Sequence, residues 1–223
     1  KTMKIKALVF DMDGLMFDTE RLNNEAWNFA ANKLGVTISK EMLDSIKGFS
    51  NFKCDKMLAS WLGDKVDVAY LRKVKTDYVD KYLAENGVPV KKGLKPLLSY
   101  LKTHGYRTVL ATSTTEDWAM KILKLADVEK YFDHLIFANM IEKSKPDPEI
   151  FQLASKKSYT APGECLVLED SPNGVKAAHA AGCHVIMVPD VVEPSEDVKA
   201  MADAVEESLE EVLEMVKPWS MTA

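Results

Sequence analysis

Three features of this sequence predict an α/β fold, with a doubly wound, mostly parallel sheet as its core and an α-helical cap inserted after the first strand. Short apolar runs bounded by turn residues recur at 5–10, 107–111, 135–138, 165–168 and 185–188. Helical patterns separate the later runs, and buried strands that alternate with helices belong to parallel sheets covered on both faces. The rhythm breaks only between the first and second strands, where residues 19–89 carry no strand signal and read by periodicity as several helices. The expected division is a core of 1–18 plus 89–223 and a cap of 19–88.

Taken in order, the first run ends in Asp11-Met12-Asp13-Gly14. In the cap, Leu22, Ala26, Trp27, Phe29, Ala30 and Leu34 mark an amphipathic helix closed by Gly35. Met57, Leu58, Trp61 and Leu62 mark a second helix, and Leu71, Tyr78, Val79, Tyr82 and Leu83 a third, with Trp61 and Tyr78 expected in the cap's interior. Beyond the second crossing the helix boundaries are well signed. Gly105 and Gly182 follow helical runs as C-caps, while Pro148 and Pro172 open helices behind Asp147 and Ser171 as N-caps.

Composition narrows the function. The chain has 223 residues, 47% hydrophobic and 28% charged, which suits one folded domain carrying a smaller insert. Its 29 basic against 34 acidic side chains leave −5, so no general positive field exists to hold nucleic acid or an anionic membrane. An anionic substrate then needs local positive charge, such as a metal ion. The three cysteines, Cys54, Cys165 and Cys183, are odd in number and form no CxxC pair, so neither a disulfide framework nor a zinc site is expected. A reducing cytoplasm is the simplest setting, with neither a signal peptide nor a membrane span expected.

Ligands of open α/β sheets bind beyond the carboxyl ends of the strands. Asp11 and Asp13 stand there after the first strand and Thr112-Ser113-Thr114-Thr115 after the second. Lys145 follows the third, and Glu169-Asp170-Ser171 the fourth. Each piece alone has an ordinary reading. Asp-x-Asp-Gly is a common turn, the hydroxyl run caps a helix, a lysine before proline is a solvated charge, and Glu169-Asp170 complements a helix dipole. A calcium loop is disfavoured because a strand, and no helix, precedes Asp11. The conjunction at successive strand ends is the informative feature. Crowded carboxylates repel unless a divalent cation sits among them, and oxygen ligands suit magnesium. A phosphate brought to that cation meets Thr112, Ser113, the N–H groups of a helix start and the Lys145 ammonium.

At these residues the chain resembles the haloacid dehalogenase-like superfamily. The four segments are Asp11-Met12-Asp13-Gly14-Leu15-Met16-Phe17-Asp18-Thr19, Thr112, Lys145-Pro146-Asp147-Pro148, and Glu169-Asp170-Ser171-Pro172-Asn173-Gly174. The resemblance implies a magnesium-dependent phosphatase acting on a small phosphorylated metabolite through an aspartyl phosphate on Asp11. By the same likeness Asp13 is the general acid and base, Thr112 binds the phosphoryl group and Lys145 offsets its charge, with Ser113 expected beside Thr112 from its place on the rim. Magnesium is expected on Asp11, the backbone carbonyl of Asp13, and Asp170, with Glu169 as a ligand or its supporting neighbour. Asp18 is expected as a hinge or helix cap.

A β-phosphoglucomutase-like enzyme shares all four segments. Such mutases are expected to carry a His in the first cap helix and an Arg after a cap Gly-x-Ser. Here Asn23 and Asn51 stand at those places, and neither supplies an acid or a cation, which favours hydrolysis. A phospho-receiver switch also joins acids, a Thr and a Lys, but places its accepting Asp mid-chain. Substrate choice is expected in the cap, at Asn23, Phe49, Asn51 and Lys53, with a sugar phosphate favoured over a nucleotide. His104, His134, His179 and His184 show no ligand spacing and read as structural, and a monomer is the default.

Overall fold

The computed structural model describes residues 4–46, 51–190 and 192–222. In chain order its elements are β1 (Ala7–Phe10), α1 (Thr19–Lys33), α2 (Lys40–Ile46), α3 (Asn51–Leu62), α4 (Val68–Asn86), α5 (Leu94–Thr103), β2 (Arg107–Ala111) and α6 (Glu116–Leu125). There follow β3 (His134–Ile136), α7 (Glu149–Lys157), β4 (Cys165–Glu169), α8 (Pro172–Ala180), β5 (His184–Met187), α9 (Glu196–Met201), β6 (Ala204–Val205) and α10 (Leu209–Val216). Short 3-10 turns join several of them. The chain divides into two compact units, one of Lys1–Asp18 with Val90–Ala223 and one of Thr19–Pro89.

The first unit is a six-stranded sheet in the order β3-β2-β1-β4-β5-β6. Every pairing is parallel, with Val9 beside both Val109 and Val167. The order reverses at β1: the chain builds outward to β3, then returns to β4 on the other side. That reversal opens a crevice at the carboxyl ends of β1 and β4, where such sheets hold ligands. β1 and β4 are buried along their whole length. Alternation sends Ala7, Val9, Val109, Ala111, Cys165 and Val167 to one face, where they pack with Ile150, Phe151, Ala154, Val175 and Ala178 of α7 and α8. Leu8, Phe10, Leu110, Leu166 and Leu168 face the opposite side and are equally buried. Each such side chain contributes about 1.5–3 kcal/mol when removed from water.

The second unit is helical throughout its described residues. Trp27, Ala30, Ala31, Leu43, Leu58, Leu62, Leu71 and Val74 make its interior. Among the described residues, no helix is long and apolar enough to cross a membrane.

Several expectations shift. β1 starts two residues later than the apolar run, β3 one residue earlier, and β6 carries no apolar run to announce it. α7 begins after Pro148, and the Asp147 carboxylate accepts from the Glu149 N–H at 3.0 Å. α8 follows the expected pattern, with Ser171 accepting from the Gly174 N–H ahead of Pro172. Phe29 and Trp61 are 45% and 37% exposed, so they lie outside the interior that periodicity assigned them. Phe29 instead meets the Tyr78 ring, with centroids 4.8 Å apart. Periodicity locates a face to within a residue or so, and the half-turn positions beside that face stay open to water.

Candidate active site

The end of β1 turns sharply. Gly14 takes φ +85, and its N–H donates to the Phe17 carbonyl at 2.9 Å. A Cβ at Gly14 would stand 2.2 Å from an Asp170 carboxylate oxygen, so the loop after β1 and the loop after β4 approach as closely as backbone permits. Asp11 is held by its own N–H on the Leu168 carbonyl at 3.1 Å. The residue is 8% exposed.

Lys145 reaches this point from the segment after β3. Its ammonium donates to Asp11 Oδ1 at 2.6 Å and to Glu169 Oε1 at 2.5 Å. Glu169 is fully buried, and its Oε2 accepts from the N–H groups of Asp170 and Ser171 and from the Ser171 hydroxyl. Both of its oxygens therefore have donors, and the carboxylate anchors Lys145. Gly174 explains how the carboxylate fits: a Cβ there would overlap it, 1.8 Å from its carboxyl carbon. The sequence motif contained this glycine, but its physical reason appears only in three dimensions.

Asp11, Glu169 and Asp170 each bring a carboxylate oxygen within 4.8 Å of the others, all three buried. Burial, and then the Glu169 charge, push the Asp11 carboxyl up to about 7 against the pull of Lys145. Burial alone would favour a neutral lysine, yet the Asp11 and Glu169 charges hold Lys145 above the ordinary lysine range, so it stays an ammonium. One ammonium among three buried carboxylates leaves an excess of negative charge that a divalent cation with oxygen ligands fits.

The Asp13 carboxylate is not part of that triad. It is half-buried, and its Oδ2 accepts from the Thr114 hydroxyl at 2.6 Å. Thr112 is 1% exposed, with its N–H on the Ile136 carbonyl and its hydroxyl accepting from the Thr114 N–H at 3.1 Å. Ser113 is half-buried beside it. Thr114 was visible in the sequence only as one hydroxyl among four, and nothing in the spacing singled it out as the partner of Asp13.

The proposed cap residues separate. Phe49 lies outside the described residues. Within the helical unit a cavity of about 200 Å³ is lined by Asn23, Trp27, Asn51, Cys54, Arg72 and Lys75 among others, whereas Lys53 is exposed and not part of it. The Asn23 amide donates to the Thr19 carbonyl, and Asn51 Oδ1 accepts from Arg72 at 3.0 Å. Arg72 also pairs with Asp55. Burial, and then the Arg72 charge, push Lys75 down to about 8. Sequence reading missed both cations, because on α4 they sit at half-turn steps from apolar neighbours and look like a solvated face. Of the histidines, His104 stacks on Tyr100 and His184 meets Asp203.

Residues 8–188 match the family model of the haloacid dehalogenase-like hydrolases. The chain belongs to this family. It is 32% identical over 220 residues to a phosphorylated carbohydrates phosphatase of Thermotoga maritima, covering 96% of this chain and 99% of the relative. A fructose-1-phosphate phosphatase of Escherichia coli is 27% identical over 183 residues, 81% of this chain and 95% of its own. Among solved structures, CbbY from Rhodobacter sphaeroides in complex with phosphate superposes with a TM-score of 0.74 at 26% identity, covering 93% of this chain and 96% of that one. Haloacid dehalogenase-like hydrolases of this fold thus supply the relatives and the architecture alike.

Proposed function

We propose that this haloacid dehalogenase-like hydrolase is a magnesium-dependent phosphatase of small phosphate monoesters, sugar phosphates foremost. The observation that carries the reading is the buried convergence of Asp11, Glu169 and Asp170, with Lys145 bridging Asp11 and Glu169, beside an Asp13 held separately by Thr114. Asp11, Asp170 and the Asp13 carbonyl would hold the cation, which supplies charge neutralisation for an incoming phosphoryl group. An Asp11 carboxylate oxygen attacks phosphorus in line, and the bond to the leaving oxygen breaks. Asp13, oriented by Thr114, donates a proton to that leaving oxygen and afterwards takes one from the water that hydrolyses the aspartyl phosphate. Thr112 and Ser113 bind phosphoryl oxygens, and Lys145 offsets their charge and that of Asp11. Glu169 keeps Lys145 in position. The carbohydrate phosphatases among the relatives support the choice of substrate class.

The two residues expected to distinguish a mutase argue for hydrolysis. Asn23 spends its amide on its own helix and Asn51 accepts from Arg72, so neither offers an acid or a cation. The test is release of inorganic phosphate from a panel of sugar and nucleotide monophosphates, with and without magnesium, with Asp11→Asn as control. Metal-dependent release lost in the variant is the expected result. Interconversion of hexose 1- and 6-phosphates on addition of a bisphosphate primer, without release, would replace hydrolysis by mutase chemistry.

A further inference from the structure

Asp190 follows β5 at the same edge of the sheet, and the reaction above gives it no task. Its side chain is 4% exposed, and its Oδ1 meets the Lys91 ammonium at 2.5 Å. Its Oδ2 is buried and has no hydrogen-bond partner among the described residues. One Asp190 oxygen lies within 4.8 Å of an Asp170 carboxylate oxygen. Lys91 is itself shared, since Asp18 Oδ1 stands 4.0 Å from its ammonium.

An ion pair that served only to tie the β5 loop to Lys91 would not leave a second oxygen buried without a donor, on a side chain that lies beside another carboxylate. Hydrated magnesium keeps several water ligands, and each of those waters is a strong donor. We infer that Asp190 is an outer carboxylate of the metal site, accepting hydrogen bonds from water ligands of the cation held by Asp11 and Asp170, with Lys91 as a neighbouring countercharge that the role does not require. It is a positioning residue, and the inference rests on the metal-dependent reading of the site.

The experiment is Mn²⁺ binding to the full chain, read from the free-ion paramagnetic resonance signal without substrate, for the wild type, Asp190→Asn, Lys91→Gln and Asp170→Asn. Loss of a partner that orients metal ligands weakens affinity about 10–100-fold, the loss expected for Asp190→Asn. Lys91→Gln, which removes a neighbouring cation but leaves the carboxylate, is expected to bind Mn²⁺ at least as tightly as the wild type. Unchanged affinity in Asp190→Asn, with affinity lost in Asp170→Asn, overturns the inference and leaves the phosphatase reading standing. Equal losses in Asp190→Asn and Lys91→Gln also overturn it, because Asp190 would then act only as the partner of Lys91. Unchanged affinity in Asp170→Asn would instead remove the metal reading itself.

Discussion

The two ends of the sheet use the same residue type in opposite ways. At the amino ends, Asp133 accepts from the Thr108 N–H at 2.9 Å, and Asp203 accepts from the Val185 N–H at 2.8 Å while meeting His184 at 3.0 Å. These side chains are 37% and 32% exposed, and each has a backbone donor to itself. At the carboxyl ends, Asp11, Glu169 and Asp170 are buried and close to one another, and Asp11 and Glu169 share one ammonium. Asp133 and Asp203, partly exposed and each alone with its backbone donor, are structural caps. Carboxylates crowded together out of water repel unless a cation or a proton comes between them, and that difference is the reason for proposing the carboxyl ends as the site.

The comparison can be broken by substitution. Asp11→Asn should lower phosphate release by roughly 10⁴-fold or more, since a covalent nucleophile has no substitute. The same change should leave metal-free thermal unfolding as stable or more so, because it removes one repelling charge. A variant that both unfolds early and keeps activity would reverse the assignment.

Lys145→Met leaves Asp11 and Glu169 buried without their cation. Urea unfolding in metal-free buffer should show a loss of about 3–5 kcal/mol, the usual cost of halving a buried ion pair. A loss below about 1 kcal/mol would mean that water reaches these groups as it does a surface pair. Gly174→Ala must displace the Glu169 carboxylate, with an expected cost of about 1–3 kcal/mol for overpacking and a fall in phosphate release as Lys145 loses its anchor. Retained activity at full stability would show that Glu169 moves aside freely. Smallest is Asp203→Ala at the other end: about 1 kcal/mol of stability from the lost hydrogen bonds, with kcat unchanged. A change in kcat there would couple the two ends of the sheet.

The core strands and the chemical groups at their ends were legible because apolar runs and turn residues are local signals. Asp11 and Thr112 follow such a run directly, Asp170 stands two residues beyond one, and Lys145 seven. β6 escaped because two residues carry no pattern, and its place is set by pairing with β5. Phe29 and Trp61 show the limit of periodicity, which counts residues around a helix but does not know how wide the neighbouring element is. Arg72 and Lys75 looked like surface charge until α4 lay against α1, where both stand over the Trp27 ring.

The sequence by itself determined the α/β alternation, the run of helices between the first two strands and the four segments that the proposed reaction uses, since each depends on neighbours within a few residues. Only the tertiary structure decided that Glu169 anchors Lys145, that Thr114 serves Asp13, that Gly174 clears space for a carboxylate, and that Asp190 stands beside Asp170. Those relations join residues 20 to 101 positions apart or depend on the direction of a side chain after a turn. Hydrogen bonds and steric contacts are governed by distance in space, and sequence separation carries no record of it.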